Sequence, residues 1–213
     1  MTDVIILIAC GIVGYLLGSV NTSLVLSKLL YKEDIRKKGS GNAGTTNALR
    51  SYGKKFAVCT LLGDLIKGII AVLLAWLVAP AQWNQLAGVI AGGAAILGHN
   101  FPVFFGFKGG KGVLTTFAVM VVITPVPALI ALLVFIALVA VFRYVSLGSI
   151  TAAATLPFIV YFRGDYMDIS GGFTPIFWMS VGVVLLIIIR HHANIGRLIK
   201  GTESKLSFKK KES

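Results

Sequence analysis

The stretch Arg36-Lys37-Lys38-Gly39-Ser40-Gly41-Asn42-Ala43-Gly44-Thr45-Thr46-Asn47-Ala48-Leu49-Arg50 is a polar, glycine-rich island between two long apolar runs. A second island, Phe107-Lys108-Gly109-Gly110-Lys111-Gly112, and a third, Arg190-His191-His192-Ala193-Asn194-Ile195-Gly196-Arg197, follow along the chain. Nearly everything between them is apolar. We predict that the three islands meet at one face of a membrane and form a site for phosphate-bearing substrates.

The composition is that of a membrane protein. Of 213 residues, 56% are hydrophobic and only 13% are charged, whereas soluble domains carry about a quarter of their residues as charges. Several runs approach the roughly 20 apolar residues that cross a bilayer as a helix. The sequence therefore predicts an all-α polytopic membrane protein, a single domain over residues 1–213 with a short basic tail from about residue 200.

The net charge of +12, from 20 Lys+Arg against 8 Asp+Glu, resides mainly in short loops between the apolar runs. This distribution is typical of cytoplasmic loops and indicates anionic lipid nearby. Basic strands interleaved with aromatic residues and zinc-ligand spacings are both missing from the sequence, which argues against nucleic-acid binding. We expect the N-terminus outside the cell and the C-terminus in the cytoplasm.

Seven spans are expected, and the longest charge-free segment decides the count. Residues 113–142 are 30 residues without a charge, and one helix of that length would measure about 45 Å, too long for a hydrocarbon core of about 30 Å. Thr124-Pro125-Val126-Pro127 should break it into two spans, the first of them short. The remaining spans are residues 4–30, 56–79, 86–104, 145–162 and 173–189, with an external loop containing Asp165 and Asp168. A five-span arrangement, with this pair merged and another segment demoted, is the alternative.

Two ionisable residues fall inside the second span. Asp64 and Lys67 are three positions apart, so they share a helix face and are able to pair. Ionisable groups in a span are functional candidates by default. We favour a structural ion pair near the cytoplasmic end of the helix.

The chemistry of the first island suits an anion. Gly41 and Gly44 accept positive φ angles, which would let successive backbone N–H groups converge on a phosphate. Arg50 offers two parallel hydrogen bonds to such a group. Side-chain donors are added by Ser40, Thr45, Thr46 and Asn47.

The second and third islands add cations and a candidate base. Lys111 lies among glycines just before a helix, a position that suits a phosphate, but the island lacks the spacing of a Walker A loop. His191 and Asn194 are able to share a helix face, and a histidine there is suited to act as a general base or a phosphate donor. The adjacent pair His191 and His192 is poorly placed to bind a metal.

Three motifs resemble those of one family. The pattern Gly39-Ser40-Gly41-Asn42-x-Gly-x-Thr46-Asn47…Arg50 is similar to the first motif of bacterial acyl-phosphate:glycerol-3-phosphate acyltransferases, the PlsY family. Gly98-His99-x-Phe101-Pro102-Val103-Phe104 with the second island resembles the second motif. His191-x-x-Asn194-Ile195-x-Arg197-Leu198-x-x-Gly201-x-Glu203-x-Lys205 resembles the third. The likeness spans nearly the whole chain, in the same order.

The resemblance implies transfer of a fatty acyl group from acyl-phosphate to the 1-hydroxyl of sn-glycerol 3-phosphate, the first step of phospholipid synthesis. It implies a seven-helix fold in the bacterial cell membrane, a site facing the cytoplasm, no cofactor or metal, and coupling to an enzyme that makes acyl-phosphate. The candidate catalytic residues are His191, Asn194 and Ser40, and Glu203 would fasten the tail. Substrate-binding residues would be Ser40, Gly41, Asn42, Gly44, Thr46, Asn47, Arg50, Lys108, Gly109, Gly110, Lys111, Ser146, His191 and Asn194.

Several alternatives stay open at this point. The proton acceptor is either His191 or the phosphate of the substrate, whose second pKa is near 6. An acyl-enzyme on Ser40 is disfavoured, because no base is spaced to lie beside it. Gly88, Gly92 and Gly93 are candidate walls of an acyl groove. The main alternative function is a glycerophosphate or phosphate transporter, which would need cations or broken helices at mid-membrane.

Overall fold

The computed structural model describes residues 1–163 and 174–206, and its regular structure there is helical. Short 3₁₀ turns cover Ile35–Lys37, Ala81–Trp83 and Val103–Phe105. The all-α prediction is confirmed, while the loop with Asp165 and Asp168 lies outside the described residues. The α-helices are α1 (Thr2–Ser19), α2 (Thr22–Tyr31), α3 (Thr45–Tyr52), α4 (Lys54–Val78), α5 (Asn84–Asn100), α6 (Val113–Ile123), α7 (Pro125–Phe142), α8 (Val145–Arg163), α9 (Pro175–Arg190) and α10 (His192–Ile199).

Within residues 1–163 and 174–206, five stretches are long and apolar enough to cross a membrane, and α9 with α10 makes a sixth candidate that is bent by 61°. The five are Thr2–Tyr31, Lys54–Val78, Ala81–Phe105, Pro125–Phe142 and Val145–Arg163. Each of the seven apolar segments of the sequence contains a helix. However, α6 has only 11 residues, about 16 Å, which is shorter than the hydrocarbon core. The chain is thus a multi-helix membrane protein, and the count of seven spans stays a prediction.

The proline break inside residues 113–142 is confirmed. Helix α6 ends at Ile123 and α7 begins at Pro125, the first helical position, where the missing N–H of proline costs nothing. The first of the two helices is short, as the sequence indicated.

The described chain divides into two compact units, Met1–Pro125 and Val126–Ser213. In the first unit, α1 and α5 pack through small residues. A Cβ atom on Gly14 or Gly18 of α1 would overlap the backbone carbonyl of Ala91 or Ala95 of α5. Close contact through small residues is common between helices in a membrane, because apolar side chains gain little when they exchange lipid contacts for helix contacts.

A buried apolar cluster lies beneath the first island. It consists of Leu24, Ile35, Ala43, Ala48, Phe56 and Ala57. The rings of Tyr31 and Tyr52 stack beside it with centroids 4.4 Å apart. The island is therefore seated on packed side chains from α2, α3 and α4, which makes it part of the folded structure.

Two of the glycines expected to wall an acyl groove have another role. A Cβ on Gly88 would meet the indole of Trp76, and one on Gly92 would meet Val119. These glycines make room for neighbouring side chains, so the expected groove is filled there. Gly93 alone of the three has nothing within 4 Å of the position a Cβ would take.

The second unit is built on α7, α8, α9 and α10. Gly148 of α8 lies against Phe135 and Val139 of α7. Helices α8 and α9 pack against each other. Pro157 lies inside α8. The chain turns at His191, between α9 and α10, and the third island runs from the end of α9 through this turn into α10.

Candidate active site

The first island is a series of tight turns that leads into α3. Gly39 and Gly41 have φ angles of 57° and 74°, which only glycine adopts readily. Gly44, expected to be left-handed as well, is extended with φ −164°, because it is the residue from which α3 starts. The N–H groups of Gly41 and Gly44 donate to Lys38 and Asn42 within the island. The first turn of α3, which follows the island directly, is the electropositive end of that helix.

Asn47 holds the island in shape. Its Oδ1 accepts the N–H of Ser40 at 2.8 Å, and its Nδ2 donates to the carbonyls of Lys38 at 3.0 Å and Ile35 at 3.3 Å. Its side chain is buried. These hydrogen bonds tie the Asn47 amide to the loop that carries Ser40, and substrate contact by Asn47 stays a prediction.

Arg36 joins the first island to the second. Its guanidinium pairs with Asp34 at 2.6 Å and also donates to the carbonyls of Phe105 (2.9 Å) and Lys108 (2.8 Å). The hydrogen bond from Arg36 holds the pKa of the Asp34 carboxyl below its usual range. Sequence reasoning counted Arg36 only as a loop charge; the Asp-x-Arg spacing, which favours a local ion pair, was the available signal.

The second island runs back along the end of α5. The N–H groups of Gly109 and Gly110 donate to the carbonyls of Asn100 and His99, each at 3.1 Å. A Cβ on Gly110 would collide with the His99 ring and the Ala43 carbonyl, so this glycine is where the first two islands touch. Lys111 precedes α6 by two residues, as the sequence predicted.

Asp64 and Lys67 form the expected ion pair, with Nζ 2.8 Å from Oδ1 and both side chains buried. The pair has a third member, because Nδ1 of His99 lies 2.9 Å from the Lys67 Nζ. His99 was noted in the sequence only as part of a motif. The structure places it between the ion pair and Gly110.

In the second unit, one carboxylate collects the polar side chains. Oε1 of Glu203 accepts from Ser146 Oγ (2.8 Å) and Asn194 Nδ2 (2.6 Å), and Oε2 accepts from Arg197 Nε (2.6 Å). Burial by itself raises the pKa of Glu203, but these three donors outweigh it and lower the pKa below its usual value. Ser146 and Asn194, expected around a glycerol group, are thus brought together by Glu203.

Three further contacts fasten the tail after α10. The N–H of Leu206 donates to the Arg143 carbonyl at 2.7 Å, and the Arg143 guanidinium donates to the Leu206 carbonyl at 2.9 Å. The ammonium of Lys205 lies over the ring of Tyr144, 5.6 Å from its centroid. Fastening of the tail, expected of Glu203 from the resemblance, is therefore shared by several residues.

His191 is buried at the bend between α9 and α10. Its Nδ1 lies 2.8 Å from the carbonyl oxygen of Ile187. Because a carbonyl only accepts, Nδ1 carries the proton, and the neutral ring has its lone pair on Nε2. This tautomer is the one in which Nε2 is able to take a proton.

Residues 8–201 match the family model described as glycerol-3-phosphate acyltransferase. A relative named glycerol-3-phosphate acyltransferase from Trichlorobacter lovleyi is 49% identical over 90% of this chain and 93% of its own. A relative of the same name from Shouchella clausii is 43% identical over 97% of this chain and 98% of its own. The crystal structure of PlsY, an integral membrane glycerol 3-phosphate acyltransferase, in its glycerol 3-phosphate form is similar with a TM-score of 0.83 and 37% identity, covering 94% of this chain and 96% of that one. The structure of PlsY in its lysophosphatidic acid form is similar with a TM-score of 0.81 and 36% identity.

Proposed function

Because the chain belongs to the glycerol-3-phosphate acyltransferase family, we propose that it transfers a fatty acyl group from acyl-phosphate to the 1-hydroxyl of sn-glycerol 3-phosphate. The products are lysophosphatidic acid and inorganic phosphate, and the reaction is the first step of phospholipid synthesis. The two solved structures of PlsY are a glycerol 3-phosphate form and a lysophosphatidic acid form, the acceptor and the product of this reaction. The observation that carries the proposal is the junction of two glycine-rich islands at Gly110 and Ala43 beside the start of α3.

The first unit supplies the phosphate-binding groups. Phosphate anions need fixed cations and N–H donors, and both occur on the two joined islands. The start of α3 adds the positive end of a helix dipole. In this proposal Asn47 also holds the loop in shape. The contacts to substrate come from Ser40, Gly41, Asn42, Gly44, Thr46, Asn47, Arg50, Lys108, Gly109, Gly110 and Lys111.

The second unit supplies the groups that handle the acceptor hydroxyl. His191 takes part through Nε2 in this proposal, because its Nδ1 lies 2.8 Å from the Ile187 carbonyl oxygen and donates to it. Asn194 and Ser146 are held at fixed positions by Glu203. Residues locked in this way cost little reorganisation when a substrate arrives.

The bond changes ask little of the protein. The 1-hydroxyl oxygen attacks the acyl carbonyl carbon, the bond from that carbon to the phosphate oxygen breaks, and phosphate departs with the electron pair. An acyl-phosphate is a mixed anhydride whose leaving group is already stable as an anion, so no strong acid is required. The hydroxyl proton goes to His191 Nε2 or to the phosphate of the substrate.

A His191→Ala variant separates these two proton acceptors. If His191 takes the proton, kcat at saturating substrates should fall by about 100-fold or more. Full kcat with a raised KM for glycerol phosphate would reduce His191 to a binding residue. His192→Ala is the matched control, because that ring is exposed and bonded only to the local Ile189 carbonyl among its described hydrogen bonds.

The finer features of topology belong to the same proposal. We infer seven spans, an external N-terminus, a cytoplasmic C-terminus and a site that faces the cytoplasm of a bacterial cell, where an enzyme producing acyl-phosphate would feed it. The basic islands support this orientation. Reporter fusions after Tyr52, Gly112 and Ile199 should all report the cytoplasm; an external signal at any of them would contradict it.

Activity in detergent with chelator present is the direct test. Phosphate release from palmitoyl-phosphate should depend on glycerol 3-phosphate, and palmitoyl-CoA should not replace the donor. Turnover with the thioester in place of acyl-phosphate would reject the donor but keep the acceptor. No release at all, together with glycerol phosphate uptake into liposomes, would favour the transporter.

A further inference from the structure

The buried ammonium of Lys67 has three partners, all in the first unit. Nζ lies 2.8 Å from Asp64 Oδ1, 3.1 Å from the Val20 carbonyl oxygen and 2.9 Å from His99 Nδ1. An ammonium has three N–H donors, so this set uses all of them. The three partners come from α4, from the link between α1 and α2, and from α5.

One branch leads to the first island. The Thr22 hydroxyl donates to Asp64 Oδ1 at 3.0 Å, and Lys67 holds the Val20 carbonyl. Asn21, between them, donates through Nδ2 to the Ala43 carbonyl at 3.3 Å and caps α2 with its Oδ1. The link between α1 and α2 is therefore held at Val20 and at Thr22, and Asn21 between them contacts the first island.

The other branch leads to the second island. His99 accepts from Lys67 at Nδ1, while its backbone carbonyl accepts the N–H of Gly110 at 3.1 Å. The Nε2 edge of the ring lies directly against Gly110. The imidazole thus stands between the ammonium and the glycine at which both islands meet.

We propose that Asp64, Lys67 and His99 form a buried positioning network that sets the two phosphate-binding islands at a fixed spacing. These residues do not touch substrate in this scheme; they act through Val20, Asn21 and Gly110. The inference rests on the proposed function for its kinetic consequence only. A buried ammonium needs partners for its protons whatever its role, so the experiments below separate positioning of the islands from stability of the fold.

Two substitutions at His99 test the second branch. His99→Asn places an amide oxygen where Nδ1 accepts, whereas His99→Leu removes the acceptor. We expect His99→Leu to raise the KM for the phosphate substrates and lower kcat/KM by about 100-fold, since a displacement near 1 Å costs that much. His99→Asn should keep kcat/KM near the wild-type value. A loss of folded protein would instead lower apparent kcat with KM unchanged.

The double variant Asp64→Leu/Lys67→Met tests the ion pair itself. Well-packed apolar residues often replace a buried ion pair without loss of stability, so a folded double variant with impaired kcat/KM supports positioning. Wild-type kcat/KM in a folded double variant would overturn the proposal. If the double variant does not fold, the two substitutions at His99 decide. Equal losses of kcat/KM in His99→Leu and His99→Asn would also overturn the proposal.

A measurement without substrate separates this inference from the reaction. Amide hydrogen exchange of the peptide covering residues 107–112 should accelerate in His99→Leu and in the double variant, and stay near wild type in His99→Asn. Thr60→Val, buried one turn from Asp64 in α4, is the control and should change neither exchange nor kcat/KM. Inactive wild-type protein with this exchange pattern would reject the function and keep the network; unchanged exchange in every variant would reject the network.

Discussion

The two units hold their polar residues by opposite means. In the first unit, backbone groups and glycines set the geometry: Gly109 and Gly110 bond to α5 carbonyls, and Gly39 and Gly41 take left-handed turns. In the second unit, the single carboxylate of Glu203 gathers three side chains. The first arrangement depends on the absence of side-chain atoms and the second on the presence of one charge, so different substitutions should break them.

The largest effect is expected at Gly110. In Gly110→Ala the new Cβ would overlap the His99 ring and the Ala43 carbonyl, which forces the islands apart. We expect kcat/KM to fall by more than about 100-fold. Gly182→Ala in α9 is the matched control, because a Cβ there meets nothing within 4 Å and alanine is the better helix former. Comparable losses in both variants would show that the loss at Gly110 does not come from overlap with His99 and Ala43.

Glu203→Ala should break the second unit by removing the common acceptor. Leaving buried donors without a partner costs about 1–3 kcal/mol, so the midpoint of thermal unfolding in detergent should drop and kcat should fall with it. Glu33→Ala is the control, since Glu33 bonds Lys38 and Tyr52 at an exposed position, where ion pairs contribute little. Equal changes in both variants would mean that burial of Glu203 does not matter.

A smaller effect is expected from Arg36→Lys. An ammonium keeps the charge but lacks the planar fork that bonds Asp34 and the carbonyls of Phe105 and Lys108 together. We expect about a tenfold rise in KM for the phosphate substrates, with little change in kcat. Lys37→Arg, the neighbouring change in the reverse direction, should be neutral. Wild-type KM in Arg36→Lys would show that charge alone joins the islands.

The smallest effect is the pH dependence of Glu203. Its pKa in the folded protein lies below the ordinary value of 4.5, so its stabilising contribution is present above the unfolded pKa and is lost as pH falls through the folded pKa. Unfolding midpoints measured from pH 7 down to pH 3 should decline less steeply in Glu203→Gln than in wild type. Parallel curves would mean that Glu203 does not contribute to the acid sensitivity.

The sequence was informative where a residue type leaves few choices. The break at Pro125 follows from covalent geometry, and the pairing of Asp64 with Lys67 follows from helical spacing. It was misleading where two roles share one residue type. Gly88 and Gly92 make room for Trp76 and Val119, yet nothing local distinguishes a packing glycine from a groove wall.

The sequence proposes members of the site but not the contacts that they make. The resemblance proposes Ser146 and Asn194, but their shared contact with Glu203 joins positions 57 and 9 residues apart, which only the fold brings together. Asn47 has the donors of a ligand-binding residue, and its use within the loop depends on where the carbonyls of Ile35 and Lys38 point. Long-range backbone geometry of this kind is not encoded in any single motif.

The close contact between α1 and α5 has a consequence for biosynthesis. Ala91 follows Gly14 by 77 residues, and ribosomes add about 5–20 residues per second. Helix α1 therefore waits in the membrane for about 4–15 seconds before its partner has been made. During that interval the glycine face of α1 contacts lipid or the insertion machinery. The helices that support the first two islands pack together only once α5 replaces those contacts.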